Sequence, residues 1–470
     1  MTDQSINTGN TGDAVNAEGL ITREQFRRLA DLVLKASEGD QTFLSLHDVS
    51  GGTTRFANNQ IVQNVNTHRV SLAATVSFGR RQGTATATDF GEDAIRDMVR
   101  RATEIARVSP EDPEYMKPLP PQDYVPLNTI QQDTALAGPE KRILYAAEAI
   151  HRCQADGFTA AGIVASSVAA VGLAAKTGLF AYEPRTEAKF SLTAISGEAS
   201  GWAANVHRSI DALGVLTRTR SAIQKAKQAA GPKEIPPGRY TVILEPSAVA
   251  CLIGPMIWAM DAKSFYKRTS PYVGKLGRLI IDRRLTLTNQ TRHPDLLANG
   301  FNSEGLPAED LVWIQDGVLK QLRYDRYTAQ EHHVHPSPAL DAPYLLGTPR
   351  GQDLATTEAA GASHSAYPSL EELITSTPRG ILVTNFWYIR EVNPTDMTLT
   401  GMTRDGVFLI EDGHITTPLV NFRWHESPFR AFSNVESFTA PTDAVSNENW
   451  KMQLPAMKIA DFNFSSITRF

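Results

Sequence analysis

The sequence predicts an α+β protein: helix-flanked antiparallel strands in its first half, and a curved or barrel-like β domain at its C-terminal end. Three observations carry this. Between residues 21 and 108 a helical-period segment, several alternating segments and a second helical-period segment follow one another. The same succession returns between 138 and 230. From 238 onward the strand signals are short, irregularly spaced and interrupted by Gly and Pro.

Residues 1–20 are polar with no apolar core and read as a disordered tail. Thr22-Arg-Glu-Gln25 is a capping box, because the Thr hydroxyl and the Gln amide can each satisfy a free backbone N–H at a helix start. It opens a helix carrying Phe26, Leu29, Leu32 and Val33. Thr42–His47 alternates, Asn58–Asn59 supplies a turn, and Arg69–Phe78 with Gln82–Thr88 reads as a hairpin about Gly79. A helix follows with Ile95, Met98, Val99, Ala102 and Ile105 on one side. Six prolines between 109 and 137 predict an extended linker.

The second unit, 138–230, opens with a helix near Pro139–Cys153. Alternating segments at 158–169, 171–181 and 187–196 precede a helix near 211–229. The stretches "HRVSLAATVSFGRRQGTATATDF" and "EAKFSLTAISGEASGWAANVHR" share a strand, a small-residue turn and a second strand. A duplication and chance both account for that echo. In the unit 238–470, Tyr240–Leu244 is a buried-type strand and Glu245-Pro246-Ser247 opens an apolar helix. Further strands are expected at Leu279–Ile281, Val312–Trp313, Ile381–Tyr388, Gly406–Ile410 and His414–Val420.

Composition narrows the function classes. A formal charge of −5 with scattered basic residues argues against a nucleic-acid surface. The longest apolar run, Ala248–Met260, is too short to span a bilayer and is broken at Gly254-Pro255, so no membrane association is expected. Two cysteines, Cys153 and Cys251, cannot form a disulfide framework, which with the absence of a signal-peptide pattern predicts a cytoplasmic protein.

No phosphate-binding loop, dinucleotide fingerprint, C-x-x-C pair or nucleophile elbow is present. Two histidine features remain. His332, His333 and His335 form a dense tract of good zinc ligands, alternatively a solvated loop. His425-Glu426 resembles the opening of a metalloprotease helix, but Pro428 interrupts the turn on which a second histidine must stand. A relocated metal site built from these groups with Glu391 and Asp405 is therefore one alternative, and a peptide-binding scaffold without a cutting partner is another.

Several stretches resemble the TldD/PmbA family of metalloprotease-related proteins: "RFANNQIVQNV" and "GTATATDF" early, then "GRYTVILEPSAVACLI", "SPYVGKLG", "RGILVTNFWYIREVNPTDMTLTGMTRDGVFLIEDGHI" and "LVNFRWHESPFRAFSNVES". They run in the family's order from about residue 43 to 440. In the zinc-bearing member the helix after "GR…" carries H-E-x-x-x-H. Aligned on Gly238-Arg239 and Pro246, those positions fall on Gly254, Pro255 and Ala259 here. None has a side-chain lone pair or a transferable proton.

The resemblance therefore implies a PmbA/TldE-like chain with no catalytic residue, no metal and no cofactor of its own. It would pair with a TldD-like zinc-bearing subunit as a heterodimer, or with itself, and act on peptide. Tyr388, Arg390, Arg404, Arg423 and His425, in the most motif-rich stretch, are the expected substrate contacts; stitching strands together is their alternative role. "NFWYIREV" and "NFRWHESPF" are more aromatic and basic than the commoner PmbA pattern, which leaves the partner's identity open.

Overall fold

The structure, a computed structural model, describes residues 19–338, 340–349, 366–446 and 449–468. Most of the N-terminal tail expected to be disordered (1–20) lies outside them.

Helix α1 (Arg23–Ala36) starts where the capping box places it: Thr22 Oγ1 accepts from the Gln25 N–H at 3.2 Å, and Gln25 Oε1 accepts from the Thr22 N–H at 2.7 Å. Strands β1 (Gln41–Ala57), β2 (Gln60–Phe78) and β3 (Arg81–Ala87) then run antiparallel. Asn58 and Asn59 turn the first hairpin with positive φ, a conformation Asn tolerates at two-residue turns. Helix α2 (Glu92–Val108) buries Ile95, Met98, Val99, Ala102, Thr103 and Ala106. Ile105, expected among them, is 44% exposed; the stripe drifts to Ala106 because period 3.6 rotates it off Ile105.

The 109–137 segment is irregular apart from α3 (Gln132–Ala135). It is packed rather than free: the Thr186 N–H donates to Thr129 O at 2.9 Å, so the segment covers an edge of the sheet. Helix α4 (Pro139–Ala155), strands β4 (Thr159–Ala175), β5 (Phe180–Ser196) and β6 (Ala199–His207), and helix α5 (Val215–Gln228) repeat the first pattern. The alternating segments 158–169 and 171–181 are a correction. One strand runs through residue 170 to Ala175, and the chain reverses at Lys176–Leu179, where Gly178 has φ 93°. The run of small residues hid the period on which the boundary was read.

The two units form one six-stranded sheet, ordered β3-β2-β1-β4-β5-β6, joined where β1 pairs antiparallel with β4. This is an inverted repeat, and one packing detail recurs in both halves. A Cβ on Gly83 of β3 would run into Ala102 O and the Ala106 N–H of α2; a Cβ on Gly201 of β6 would run into Ala222 O and the Ala226 N–H of α5. Each final helix approaches its final strand so closely that only glycine fits. Matching close approaches at matching places favour duplication over chance.

The C-terminal part contains β7 (Gly238–Leu244), the apolar helix α6 (Pro246–Trp258), α7 (Ala262–Tyr266), β8 (Leu285–Asn289), β9 (Leu311–Gln315), β10 (Val318–Leu319) and α8 (Arg326–Glu331). After β11 (Pro343–Gly347) come β12 (Arg379–Asn393), β13 (Thr398–Glu411), β14 (His414–Pro418), β15 (Phe422–Glu426), β16 (Val435–Phe438), β17 (Thr442–Val445), β18 (Lys451–Leu454) and β19 (Met457–Ile467). Leu279–Ile281, expected as a strand, contributes only an isolated bridge to Val318.

Strands β12, β7, β19, β15 and β13 pair in that order, and β13 pairs back with β12, closing a five-stranded barrel. Phe386, Phe422, Trp424, Phe462 and Phe464 form one aromatic cluster within it. A second sheet has the order β10-β9-β8-β11-β18-β17. Helix α6 shares a single core with barrel residues (Val242, Val383, Phe386) and second-sheet residues (Leu285, Leu345, Met452). The N-terminal sheet meets this body at β6, through Ala204 and Val206 against Val445.

Candidate functional site

Helix α6 forms because Pro246 sits in the first turn, where its missing N–H and fixed φ suit a helix start. Every residue from Ala248 to Gly254 is buried. The helix continues through Pro255, and the Ala259 N–H donates to Pro255 O at 3.0 Å, so the final turn survives beyond the interruption. That final turn faces a cleft of about 590 Å³. Gly254, Pro255 and Ala259 all line it, so the aligned zinc-motif positions look onto one space and present only hydrogen, ring methylenes and a methyl group to it. A Cβ on Gly254 would come no closer than 3.8 Å to Met452 Cε and 4.0 Å to Trp450 Cε3. The position is open, and glycine there is not forced by packing.

The opposite wall is the turn end of the β12–β13 hairpin: Trp387, Tyr388, Ile389, Arg390 and Glu391, with Met397 and Leu399. Trp387 pairs with Met402 and Arg390 with Thr400, so Tyr388 and Ile389 together oppose Gly401 as a bulge. Tyr388 has φ 55°, an outlier for a bulky side chain; such strain concentrates at functional sites. The bulge re-aims this stretch toward α6. Trp258 and Trp450 also line the cleft, so three of the chain's six tryptophans meet here. Trp258 is 55% exposed, Tyr388 52% and Trp387 41%. Trp450 is held by its indole N–H on Asp341 O at 3.4 Å.

The five expected contact residues separate. Tyr388 and Arg390 both line the cleft and stack on one another, the guanidinium 4.4 Å from the ring centroid. Arg404 lies 4.8 Å over the Trp387 ring but lines a second cleft, of about 840 Å³, between the β5–β6 turn and the barrel. That cleft is lined by polar residues, including Glu198, Ser200, Asp405 and Asn421, beside aliphatic ones such as Ile195 and Leu419, and by no aromatic residue among the described residues. Burial pushes the Asp405 carboxyl above its usual range. Arg423 and His425 sit on β15, pair across to Met402 and Thr400, and line neither cleft. Sequence reasoning missed Trp258, Trp387 and Trp450, although the aromatic excess in "NFWYIREV" pointed at this wall.

Neither histidine feature assembles a metal centre. The His332 ring stacks on Tyr266 with centroids 3.3 Å apart, and His333 has φ 56° past the end of α8. His425-Glu426 ends strand β15 rather than opening a helix. Glu426 is 3% exposed and accepts from the Ser427 and Asn463 N–H groups at 3.0 and 3.2 Å; burial raises its carboxyl. Among the described residues no three His, Cys, Asp or Glu side chains converge closely enough to hold a metal. In the cleft itself, the donor set does not fit zinc. Cys251 is buried with its Sγ 3.8 Å from Phe386 O, and among the described residues no imidazole lines the cleft. No helix among the described residues is long and apolar enough to cross a membrane.

Comparison with known proteins places this architecture. Residues 44–106 match the PmbA/TldA metallopeptidase domain 1, and residues 237–466 match the PmbA/TldA metallopeptidase C-terminal domain. The chain is 25% identical over 340 residues to the Metalloprotease PmbA of Escherichia coli O157:H7, covering 67% of this chain and 72% of that protein. Its fold is similar to TldE from Thermococcus kodakarensis (TM-score 0.80, 18% identity, 94% of this chain and 99% of that one). It is similar as well to a proposed modulator of a DNA gyrase from Thermotoga maritima (TM-score 0.79, 16% identity, 94% and 100%). With two family domains spanning 293 of its 470 residues (63 in the first, 230 in the second) and the fold following over most of its length, the chain belongs to the TldD/PmbA family of metallopeptidase-related proteins.

Proposed function

We propose that this chain is a non-catalytic PmbA/TldE-like subunit that supports proteolysis of unfolded or modified peptides by a zinc-bearing TldD-like partner. One observation carries the reading: helix α6 reaches the cleft with Gly254, Pro255 and Ala259, side chains that can neither ligate zinc nor move a proton. Replacing two imidazoles removes most of the roughly 10–16 kcal/mol available to a protein zinc site. What the chain retains is a walled cleft with an aromatic lining, suited to hold substrate rather than to cut it.

The partner is the zinc-bearing subunit, with self-association as the alternative assembly, and the buried thiols of Cys153 and Cys251, not joined in a disulfide, fit a reducing, cytoplasmic setting. The test is to purify the chain, measure zinc by mass spectrometry, and assay unfolded peptide with and without a zinc-bearing family member. The reading expects no stoichiometric zinc and no cleavage alone, with cleavage enhanced in the mixture. Hydrolysis by the isolated chain that EDTA abolishes would end it.

A further inference from the structure

We propose that the α6–β12 cleft binds an extended peptide by seating one bulky uncharged side chain, aromatic or large aliphatic, among Trp258, Trp387 and Trp450. This rests on the reading of the chain as a peptide-handling subunit and gives that cleft a ligand preference. Two independent features of the structure support it.

The first is chemistry. Around 590 Å³ of space is lined by three indoles, Tyr388, Ile389, Met397 and Leu399, while among the described residues Arg390 and Glu391 are the only charged side chains in the lining. Arg390 is already committed: it lies over the Tyr388 ring, and its Nη1 donates to Ile389 O at 2.7 Å. An acidic ligand side chain would lose water opposite Glu391 with little compensation. A basic one would exchange its water for Glu391 and the ring faces, whereas an apolar one gains simply by leaving water. Large aromatics left 41–55% exposed around a concavity are themselves the mark of a recognition site.

The second is backbone. Strand β7 pairs with β12 only over Ile381–Val383, yet β12 continues to Asn393. Among the described residues no strand pairs with Trp387–Asn393 on the side away from β13. That edge runs along the cleft wall. An extended peptide can add to such an edge through main-chain hydrogen bonds, with alternate side chains directed to the protein. A strand edge beside an apolar cavity, broken by the Tyr388–Ile389 bulge, fits a short stretch of extended peptide better than a compact small molecule.

The experiment uses the full chain without any partner and with EDTA present, so that neither zinc nor cleavage enters the readout. A fluorescein-labelled hexapeptide, acetylated and amidated, carries Phe, Trp, Ala, Lys or Glu at its centre, and binding is followed by anisotropy. The Phe and Trp peptides should bind at least tenfold tighter than Ala, a difference of about 1.4 kcal/mol; the Glu peptide should bind no better than Ala, and the Lys peptide more weakly than Phe or Trp. Trp258→Ala and Trp387→Ala, at exposed positions where folding is little at risk, should bring the Phe:Ala ratio to within about twofold while the melting temperature holds. A flat series, or a preference that survives both substitutions, overturns the assignment. Because zinc content and cleavage are measured separately, failure here leaves the non-catalytic reading standing, and stoichiometric zinc would refute that reading without touching this one.

Discussion

Lys451 is 1% exposed, yet it carries a charge at the junction between the N-terminal sheet and the C-terminal body. Its Nζ donates to Asn205 Oδ1 on β6 at 2.7 Å and lies 2.7 Å from Asp443 Oδ1 on β17. Asp443 also receives Arg218 from α5 at 2.9 Å and the Gln453 amide at 2.8 Å. Lys451→Met keeps most of the side chain's length and apolar bulk and removes both bonds. Deleting one member of a buried ion pair costs about 3–5 kcal/mol. Asp443 is 30% exposed and keeps Arg218 and Gln453, so about 2–3 kcal/mol is expected.

A chain with several cores need not unfold in one step, so the assay is native-state hydrogen exchange at Ala199–His207 and Lys451–Leu454. Protection in both segments should fall roughly 30- to 150-fold, the exchange equivalent of that energy. Combined with Asp443→Asn, the double variant should lose clearly less than the sum of the single losses, because the two residues share one interaction. Protection unchanged within threefold, or strictly additive losses, would refute the view that this pair fastens the two bodies together.

Other consequences are equally specific. Gly83→Ala and Gly201→Ala each push a methyl into helix backbone that cannot yield, and each should cost about 1–3 kcal/mol by thermal or chemical denaturation; a large cost at one with none at the other would argue against the repeat. Burial raises the Asp341 carboxyl to about 6, opposed by the Asn299 N–H bonded to it. The folded chain therefore holds an extra proton between about pH 4 and 6, and stability declines as pH rises through that window. Asp341→Asn should stabilise above about pH 6 and have no effect below about pH 4 in melts across pH; a gain that grows on acidification contradicts the sign.

Much of the fold was readable because its signals are local. The Thr22–Gln25 capping box, the Asn58–Asn59 turn and the apolar stripe of α2 are each written within a few residues, and each lies where the sequence reading placed it, apart from Ile105 at the end of the stripe. The β4–β5 boundary was not readable, since small residues from Ala165 to Ala175 blur the two-residue period. Barrel closure was out of reach in its particulars because β7 pairs with β19, more than two hundred residues later, and sequence separation carries no pairing signal. The cleft divides along the same line. Gly254, Pro255 and Ala259 came from aligned motif positions in a single helix. Trp258 and Trp450 meet only through the fold, and the Tyr388 bulge follows from a register shift visible only in the paired strands. Arg423 and His425 share the motif-rich stretch with Tyr388 but sit on β15, because nearness along the chain does not choose a sheet position.

The measurement that bears most directly on the account is zinc stoichiometry in the triple variant Gly254→His/Pro255→Glu/Ala259→His beside the native chain, both loaded with zinc and dialysed. If the three side chains are what the native cleft lacks, the native chain retains no stoichiometric zinc, and the variant, whose position 254 has room for a side chain, retains more. Equal, stoichiometric zinc in the native chain, abolished by substitutions near this cleft, would show that the metal is held by other groups and would contradict the account.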